Sequence, residues 1–421
     1  MVWRTFLRGR ARDFGRMASA ALHTPPAVPA TSRSPFVRLT ELIADIKPGK
    51  PPINLSVGEP QHPIPAFIGK VIGEHLADFG RYPANKGSER YRRAVAAWLN
   101  KRFGLKRPID PDTEVLVLSG TREGLFLSAL AASRWVSPRK GKSGSLPAIL
   151  IPNPFYAVYA AAAVAANCEP VFLPATRTTG FLPDLDALDD ALLARTVAMY
   201  LASPANPQGA VADLHYMSRL TELARQHGFL IFSDECYSEI YSSAPPPGML
   251  QAAAPDYANV VVFHSLSKRS SLPGLRVGSC AGDRRFLSSF LELRNLAAPQ
   301  VPETLQHAAA AAYKDERHVD DNRALYKAKF DLADQIIGDR YGYKRPAGGF
   351  FLWLDVSAQG GSEAVTKRLW SEAGVRVVPG KYLARDQADG SNPGADYIRV
   401  AMVQDKQLTA EALHRLVATL G

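Results

Sequence analysis

Three side chains whose types suit covalent chemistry follow buried stretches of the sequence. Asp234 follows the apolar run Phe229–Phe232. Lys268 follows the run Val260–Phe263, and Arg276 lies eight residues further on. A lysine amine bonds covalently to an aldehyde, a carboxylate keeps a pyridine nitrogen protonated, and a guanidinium neutralises a phosphate. These are the groups that pyridoxal phosphate requires, and the three residues therefore predict a site for that cofactor.

These three residues can come together only if the strands that precede them end at the same edge of one sheet. The sequence predicts such a sheet. Short, mostly continuous apolar runs are typical of strands covered on both faces, and helical stretches separate most of them here. This alternation favours a largely parallel sheet, which binds ligands at the carboxyl ends of its strands. The predicted strands are Val115–Leu118, Ala148–Ile151, Pro170–Leu173, Ala198–Leu201, Phe229–Phe232, Val260–Phe263 and Val277–Ala281.

The two ends of the chain predict a second, smaller unit. The spacing of apolar residues predicts helices over Phe67–Phe79 and Glu89–Phe103, and a long charged helical region runs from Asp283 to about Asp339. Further strands are expected near Phe350–Leu354, Val375–Val378 and Tyr397–Val400, before a final helix from Thr409.

We therefore expect an α/β fold with two domains. A large domain has a mostly parallel seven-stranded sheet between helices, and a small α+β domain is built from both chain ends. The expected divisions are a flexible basic leader (1–35), an amino-terminal arm with part of the small domain (36–80), the large cofactor-binding domain (81–315) and the small carboxy-terminal domain (316–421).

Composition excludes several classes of protein. The chain has 421 residues, of which 46% are hydrophobic and 21% charged, and this composition is that of an ordinary globular protein. Three cysteines without Cys-x-x-Cys spacing exclude a disulfide framework, and no apolar run reaches the length of a membrane span. We expect a cytoplasmic protein that binds neither membrane nor nucleic acid.

The net charge of +10 is concentrated at the amino terminus. Residues 1–33 hold six arginines and one acid, Asp13. The composition of this segment is compatible with a transit peptide. We favour a disordered tail, or a true start at Met17.

Several familiar motifs are absent from the sequence. There is no Gly-x-Gly-x-x-Gly after a strand, no His-Glu-x-x-His and no Gly-x-Ser-x-Gly. The tripeptide Gly141-Lys142-Ser143 lacks the upstream glycine of a phosphate-binding loop, because Val136 stands there. These absences disfavour a dinucleotide site, a metal site and a serine hydrolase.

The motifs around the lysine resemble those of a known family. Ser265-Leu266-Ser267-Lys268 is followed by Gly274-Leu275-Arg276-Val277-Gly278, and Asp234-Glu235-Cys236-Tyr237 precedes both. From about Pro51 to the carboxyl terminus, the chain resembles the fold-type-I pyridoxal-phosphate enzymes, specifically the class I and II aminotransferases. The resemblance implies an aspartate-aminotransferase-like fold and transfer of an amino group from an L-amino acid to a 2-oxo acid, with ping-pong kinetics.

The resemblance also implies roles for residues around the cofactor ring. Lys268 would hold the cofactor covalently and move a proton between the substrate Cα and the cofactor C4′. Asp234 would pair with the pyridine nitrogen, and Tyr237 and Asn206 would donate to the 3′-oxygen. Tyr156 would stack on the ring, although Phe155 or Tyr159 is an alternative.

Phosphate and substrate contacts are implied in the same way. The phosphate would be bound by Ser265, Arg276 and the backbone amides of Gly120, Thr121 and Arg122. Tyr82 would reach the phosphate of a neighbouring subunit, which implies a homodimer with shared active sites. Arg399 would bind the substrate α-carboxylate through two hydrogen bonds, assisted by the backbone of Gly58.

The substrate is suggested by a narrower likeness. Asn54 to Pro60, Asp234 to Tyr241, Phe263 to Arg269 and Pro379 to Arg385 resemble bacterial N-succinyl-diaminopimelate aminotransferases. The sequence departs from that pattern at Gln208 and over Leu293 to Gln306. Because of these departures, the sequence does not identify the amino donor. A succinylated substrate has a long acidic arm, for which Lys86, Arg81, Arg269 and Arg122 are candidate partners.

Two other classes of function remain as alternatives. The same cofactor and fold support a C–S β-lyase, a decarboxylase or a racemase. A ligand-sensing regulator would need a DNA-binding domain before this fold, and about 35 residues are too few for one. The lysine, aspartate and arginine together favour an enzyme.

Overall fold

The computed structural model of the protein describes residues 34–136 and 145–421. The expectations for residues 1–33, and the tripeptide Gly141-Lys142-Ser143, lie outside this part of the chain. The expected domain divisions at 36, 81 and 316 stay predictions. No helix in the described part is both long enough and apolar enough to cross a membrane.

The described residues form twelve strands and fourteen α-helices. The strands are β1 (Ile53–Asn54), β2 (Val115–Leu118), β3 (Ala148–Asn153), β4 (Glu169–Pro174), β5 (Thr196–Ala202), β6 (Leu230–Asp234), β7 (Val260–Ser265), β8 (Gly278–Gly282), β9 (Phe351–Asp355), β10 (Val375–Arg376), β11 (Val378–Pro379) and β12 (Tyr397–Ala401). The helices are α1 (Pro35–Leu42), α2 (Phe67–Glu74), α3 (Glu89–Phe103), α4 (Thr121–Val136), α5 (Ala157–Ala165), α6 (Asp190–Arg195), α7 (Leu214–His227), α8 (Met249–Ala252), α9 (Leu266–Arg269), α10 (Arg284–Ala297), α11 (Glu303–Lys314), α12 (Arg317–Ile337), α13 (Ser362–Ala373) and α14 (Lys406–Leu420).

The large sheet has seven strands in the order β2-β8-β7-β6-β5-β3-β4. Its strands β7, β6, β5, β3 and β4 pair in parallel, whereas β8 is antiparallel to both of its neighbours. The prediction of a mostly parallel seven-stranded sheet is confirmed. Residues 266–277 connect β7 to β8 and contain only the one-turn helix α9 and a 3-10 turn, and this fits the reversal of β8, because a parallel crossover usually contains a full helix.

Helices cover both faces of this sheet. In β6, Ile231 contributes to one apolar cluster and Phe232 to the other, because successive side chains of a strand point to opposite faces. One cluster includes residues of α3, α7 and α11, and the other includes residues of α4, α5 and α10. Both strand residues are fully buried, which explains the continuous apolar runs in the sequence.

Two smaller sheets join distant parts of the chain. Strands β11, β12 and β9 form an antiparallel sheet, and β1 pairs in parallel with β10. The predicted strand Val375–Val378 is therefore two short strands with different partners. Strand β1 has only two residues, and no periodicity can be read from a segment that short.

Two predicted helices differ at their ends. The helix predicted over Phe67–Phe79 ends at Glu74, and a 3-10 turn over Leu76–Gly80 follows it. The final helix begins at Lys406 rather than Thr409, because the side chain of Asp405 accepts a hydrogen bond from the amide of Leu408 and caps the first turn.

Candidate active site

Residues from five strand ends come together at one edge of the large sheet. Gly120 follows β2, Tyr156 follows β3, Asn206 follows β5, Tyr237 follows β6 and Lys268 follows β7. Asp234 itself ends β6 and pairs in register with Ala202 and Phe263 of the adjacent strands. Arg276 precedes β8, and its position at the same edge results from the reversed direction of that strand.

The amine of Lys268 lies inside the protein and contacts the amino-terminal segment. Its Nζ donates a hydrogen bond to the carbonyl oxygen of Gly58 over 2.5 Å and lies 5.1 Å from the ring centroid of Phe350. Burial lowers the pKa of Lys268 to about 8, and the nearby Arg399 acts in the same direction. At neutral pH about a tenth of the amine is therefore unprotonated, far more than for an exposed lysine, and a nucleophile or base acts in this form.

The carboxylate of Asp234 is held by two donors. Its Oδ2 accepts from the hydroxyl of Tyr159 over 2.8 Å, and its Oδ1 accepts from the amide of Cys236 over 3.2 Å. Tyr159 is buried and stacks on Tyr200 at 4.4 Å between ring centroids. Burial and the neighbouring Asp234 raise the pKa of Tyr159 well above its ordinary value, and its hydroxyl remains a donor. Tyr159 therefore fixes the aspartate rather than serving as the stacking ring.

The side chain of Tyr237 packs between the large sheet and β9. Its ring contacts Phe350 edge-on, with 5.2 Å between centroids, and lies 5.9 Å from Phe351. Burial raises the pKa of Tyr237 well above its ordinary value, while the charge of Arg399 opposes that rise. The phenol is therefore protonated at neutral pH and able to donate a hydrogen bond.

Arg399 lies on β12 with almost no exposed surface. Its Nη2 donates to the carbonyl oxygen of Ser56 over 2.7 Å, and its Nη1 donates to Oδ1 of Asn206 over 3.2 Å. Its buried Nε has no hydrogen-bond partner. Burial lowers the pKa of Arg399 to about 10, and the guanidinium stays charged at neutral pH. A buried cation with an unsatisfied donor suits a carboxylate ligand.

A second cationic group lies at the start of α4. A Cβ atom at Gly120 would lie 2.3 Å from Nη2 of Arg276, and any side chain there would displace that guanidinium. Gly120 also has a φ of +81°, which glycine adopts without strain. Thr121 opens the helix, where free backbone amides favour an anion. Ser265 caps α9 nearby, and its Oγ accepts from the amide of Ser267 over 3.1 Å.

Two tyrosines that were predicted to contact the cofactor occupy different environments. Tyr156 lies at the site, where its hydroxyl accepts from Nε of Arg122 over 2.5 Å. Tyr82 is 95% exposed, and the described residues of this chain do not bring it to Lys268 or Arg276.

Arg269 does not lie in the site, although it follows Lys268 directly. It is buried and donates to Oε1 of Glu316 over 2.6 Å and to the carbonyl oxygen of Ala312 over 2.8 Å. Because consecutive residues of a helix point about 100° apart, the arginine faces α11 while the lysine faces the strand ends. The interpretation of Arg269 as a partner of a substrate arm is therefore wrong.

Some residues of the site make contacts that the sequence did not predict, although Ser56 lies within the Asn54 to Pro60 segment. Ser56 and Phe351 contact Arg399, and Asn322 donates from Nδ2 to the carbonyl oxygen of Lys268 over 3.1 Å. Tyr159 lies on the first turn of α5, three residues after Tyr156. This helical spacing could have predicted that the two tyrosines lie on the same side of the helix. No spacing in the sequence pointed to the other three.

The match to a family model covers most of the chain. The model for aminotransferase class I and II matches residues 50–416. The chain belongs to the class I and II aminotransferases. This confirms the predicted family, and the protein is a pyridoxal-phosphate-dependent transaminase with an aspartate-aminotransferase-like fold.

Curated relatives of this aminotransferase carry the name LL-diaminopimelate aminotransferase. One from Desulforudis audaxviator is 32% identical over 393 residues, covering 92% of this chain and 95% of the relative. One from Moorella thermoacetica is 30% identical over 392 residues, covering 92% and 95%.

Solved structures agree on the fold of the aminotransferase. An aminotransferase from Neisseria meningitidis has a TM-score of 0.86 and 37% identity, covering 92% of this chain and 98% of the other. A probable N-succinyldiaminopimelate aminotransferase from Thermus thermophilus has a TM-score of 0.79, covering 92% and 100%, and its 24% identity indicates likeness of fold alone.

The residues at the strand ends fit the cofactor of this family. Lys268 offers a buried amine for the aldehyde, Asp234 a carboxylate for the pyridine nitrogen, and the cradle at Gly120 and Arg276 a place for the phosphate. Arg399, on β12 beside Asn206, offers an unsatisfied Nε as a further donor.

Proposed function

We propose that this aminotransferase moves the amino group of N-succinyl-L,L-diaminopimelate to 2-oxoglutarate by a ping-pong mechanism, in lysine biosynthesis. The succinylated donor is supported by the likeness of Asp234 to Tyr241 and Phe263 to Arg269 to N-succinyl-diaminopimelate aminotransferases. The observation that carries amino transfer itself is the presence of two groups in the site. Arg399 offers an unsatisfied buried donor for an α-carboxylate, and the Lys268 amine has a pKa of about 8 for proton transfer at the adjoining Cα.

The ring-side residues have complementary tasks in this proposal. Pyridoxal phosphate, when bound, supplies an aldehyde that accepts the amino group and a ring that stabilises negative charge at the substrate Cα. Asp234 favours a proton on the pyridine nitrogen. Tyr237 and the amide nitrogen of Asn206 donate to the 3′-oxygen, and the Oδ1 of Asn206 is free to accept from Arg399. Lys268 holds the cofactor and moves the proton.

The other residues position the cofactor and the substrate. Five groups would bind the phosphate: the Ser265 hydroxyl, the Arg276 guanidinium, and the backbone amides of Gly120, Thr121 and Arg122. Tyr156 would stack on the ring, held by its hydrogen bond to Arg122. Gly58 and Arg399 would orient the substrate carboxylate, and positioning of this kind supplies several kcal/mol of the barrier reduction.

The proposal includes a homodimer in which Tyr82 reaches the partner's phosphate. Large apolar side chains near Tyr82 support it, since Phe79 and Leu296 are 55% and 91% exposed. Asn85 donates to Asn295 over 3.0 Å, which places the segment of Tyr82 beside the end of α10. An exposed apolar patch of this kind is typical of a protein interface. Light scattering of the purified protein tests the dimer.

We also propose a cytoplasmic location. Cysteine chemistry supports this location, because Cys168, Cys236 and Cys280 form no disulfide, as expected in a reducing compartment.

A second candidate donor is free LL-diaminopimelate. The names of the curated relatives at 30% and 32% identity favour it. The two donors differ in one group at the remote end, an amide-linked succinate against an ammonium. Initial rates with both donors, at equal concentration and with 2-oxoglutarate as acceptor, separate the candidates.

The first experiment is the visible absorption spectrum of the protein before and after L-glutamate is added without an acceptor. Conversion of the cofactor band to that of its amine form supports amino transfer. A band that glutamate leaves unchanged favours another donor or a lyase. If no cofactor band forms even with added pyridoxal phosphate, the proposed role of Lys268 is wrong.

A further inference from the structure

Four side chains that the proposed function does not use converge where α2 ends and α11 begins. His75 lies between α2 and the 3-10 turn Leu76–Gly80, and Asp78 lies in that turn. Glu303 and His307 are one helical turn apart on α11. One nitrogen of each histidine and one carboxylate oxygen of Asp78 lie within 4.8 Å of one another. Imidazole nitrogens and carboxylate oxygens are ligands of Zn²⁺ in proteins.

The distances between these atoms are close to those around a tetrahedral ion. Nε2 of His307 is 3.3 Å from Oδ2 of Asp78 and 3.8 Å from Oε1 of Glu303. Nδ1 of His75 is 3.6 Å from Oδ2 of Asp78. Two ligand atoms that bind a zinc ion at about 2.0–2.1 Å, at the tetrahedral angle, are about 3.3–3.4 Å apart. The four side chains therefore already have nearly the spacing that one ion requires.

Other side chains make few demands on these four groups. Among the described residues, Asp78 and Glu303 form no ion pair with a lysine or an arginine, and their charged contacts are the two histidines. The Nδ1 of His307 is buried without a hydrogen-bond partner. Buried polar atoms are normally satisfied, and this group of side chains therefore has unused capacity to bind a ligand.

Hydrogen bonds hold the backbone of His75 against α11. The hydroxyl of Thr304, which is fully buried, donates to the carbonyl oxygen of His75 over 2.8 Å, and the amide of Asp78 donates to the same oxygen over 3.2 Å. The rings of His75 and His307 stack in parallel, with 3.7 Å between centroids. One ring must turn for both nitrogens to reach one ion, and His75 is the more exposed of the two, at 29% against 13%.

The charges in this cluster suit a divalent cation. Burial lowers the pKa of His307, and the charges of His75 and Arg90 act in the same direction. Asp78 and Glu303 oppose this change without reversing it. A neutral imidazole is the form that binds a metal ion, and two carboxylates match the charge of a divalent ion. Arg90 is the nearby cation that opposes binding, but it is exposed, and solvent weakens its effect.

We propose that a divalent transition-metal ion such as Zn²⁺ binds to four side chains: His75, Asp78, Glu303 and His307. Two nitrogen ligands favour Zn²⁺ over Mg²⁺ and Ca²⁺, which prefer oxygen ligands alone. The ion joins the turn Leu76–Gly80 to α11, and its role is structural. The sequence disfavoured a metal site because these ligands come from two distant segments without a shared motif. Amino transfer does not depend on this ion.

Equilibrium dialysis against ZnCl₂ tests the site. The protein is the full chain with its cofactor, without a histidine tag and after treatment with a chelator, and atomic absorption measures the zinc bound per chain. We expect about one tightly bound ion per chain, with a Kd of about 1 µM or less. His75→Gln and Asp78→Asn each remove a direct ligand and should weaken binding by about 100-fold or more, since loss of a group that only supports a ligand costs about 10- to 100-fold.

Matched variants separate this site from zinc bound elsewhere. His414→Gln removes an exposed histidine of α14 that lies outside the cluster, and it should keep the wild-type affinity. Glu303→Gln should weaken binding less than Asp78→Asn, because the Glu303 oxygen lies further from Nε2 of His307. The cofactor band and the midpoint of thermal unfolding without zinc establish that each variant is folded. Added zinc should raise that midpoint for wild type and His414→Gln, but not for His75→Gln.

Two outcomes overturn the proposal. If wild type takes up no zinc at concentrations well above 1 µM, these side chains do not form a metal site. If wild type takes up zinc and the folded variants His75→Gln, Asp78→Asn and Glu303→Gln bind it equally well, the ion lies elsewhere. Either result leaves amino transfer untouched, because the absorption change with L-glutamate tests that function separately.

Discussion

Two buried lysines in this aminotransferase have similar acidity and different surroundings. Burial lowers the pKa of both Lys268 and Lys329 to about 8. Lys329 lies on α12, where its Nζ is 2.7 Å from Nε2 of His62 and donates to the carbonyl oxygen of Met402 over 3.1 Å. Lys268 instead lies at the strand ends, where Asp234 and Arg399 influence its charge. A depressed pKa therefore reports burial, and only position at the strand ends indicates chemistry.

The largest expected difference between the lysines is in turnover. In the proposed function Lys268 moves the substrate proton, and we therefore expect Lys268→Ala to lower kcat by roughly 10³- to 10⁴-fold. Lys329→Met should retain a cofactor absorption band and a rate within a few fold of wild type. Single-turnover absorption with L-glutamate measures both. A loss in Lys329→Met as large as that in Lys268→Ala would remove the distinction between the two regions.

A second variant tests Arg399, which lies near Lys268, rather than the lysine itself. Arg399→Lys keeps a positive charge but loses the planar donor fork toward Ser56 and Asn206, and toward the carboxylate that the proposal assigns to this arginine. We expect kcat/KM for L-glutamate to fall about 100-fold, since hydrogen bonds to charged groups contribute about 1.5–3 kcal/mol. Arg219→Lys on α7, whose side chain is 52% exposed and paired with Asp186, is the matched control and should behave as wild type.

For Lys329 we expect an effect on the free energy of unfolding rather than on the reaction rate. Its pKa is about 8 in the folded protein and 10.5 ordinarily, and the unfolded chain therefore binds more protons between these values. The free energy of unfolding must rise with pH in that interval. From pH 8 to 9.5 the rise due to Lys329 is at most about 2 kcal/mol.

Urea unfolding of the cofactor-free protein measures this rise. Lys329→Met lacks the titrating group, and its stability should increase less over the same pH range. Lys268 contributes equally to both proteins and cancels in the comparison. A difference between wild type and variant that stays constant with pH would contradict the lowered pKa.

The smallest expected effect concerns the partner of Asp234. Tyr159→Phe removes the hydroxyl that donates to Oδ2, and a single hydrogen bond of this kind contributes about 1 kcal/mol. We expect kcat/KM to fall by about five- to tenfold. Tyr200→Phe removes a hydroxyl from the stacked neighbour, which donates to Leu125 instead, and should leave kcat/KM near the wild-type value.

The sequence was informative wherever a functional residue directly follows a buried strand. Asp234 and Lys268 could be placed because apolar runs mark β6 and β7, and parallel neighbours end at one edge of a sheet. The reversal of β8 could not be predicted, since strand direction depends on pairing between distant segments. The position of Arg276 at this edge depends on that reversal.

Contacts between distant segments also could not be predicted from the sequence. The pairing of β1 with β10 involves two residues on each strand. Neither Ser56 nor Asn322 has a spacing that relates it to the residues it contacts. Arg269 was misplaced because adjacency in the chain does not indicate which side of a helix a residue faces. Local pattern located the strand ends, and tertiary packing decided which side chains meet there.

The reversed strand has a consequence for redesigning this protein. Strands β7 and β8 are antiparallel neighbours, with Ser265 opposite Gly278, and the lysine and the arginine both lie in the connection between them. These two anchors thus belong to one contiguous segment whose ends are held by its own pairing. An insertion between Lys268 and Arg276 would change the spacing of the two anchors. Circular permutation at an exposed loop elsewhere, such as the turn near Gly390, leaves their spacing intact.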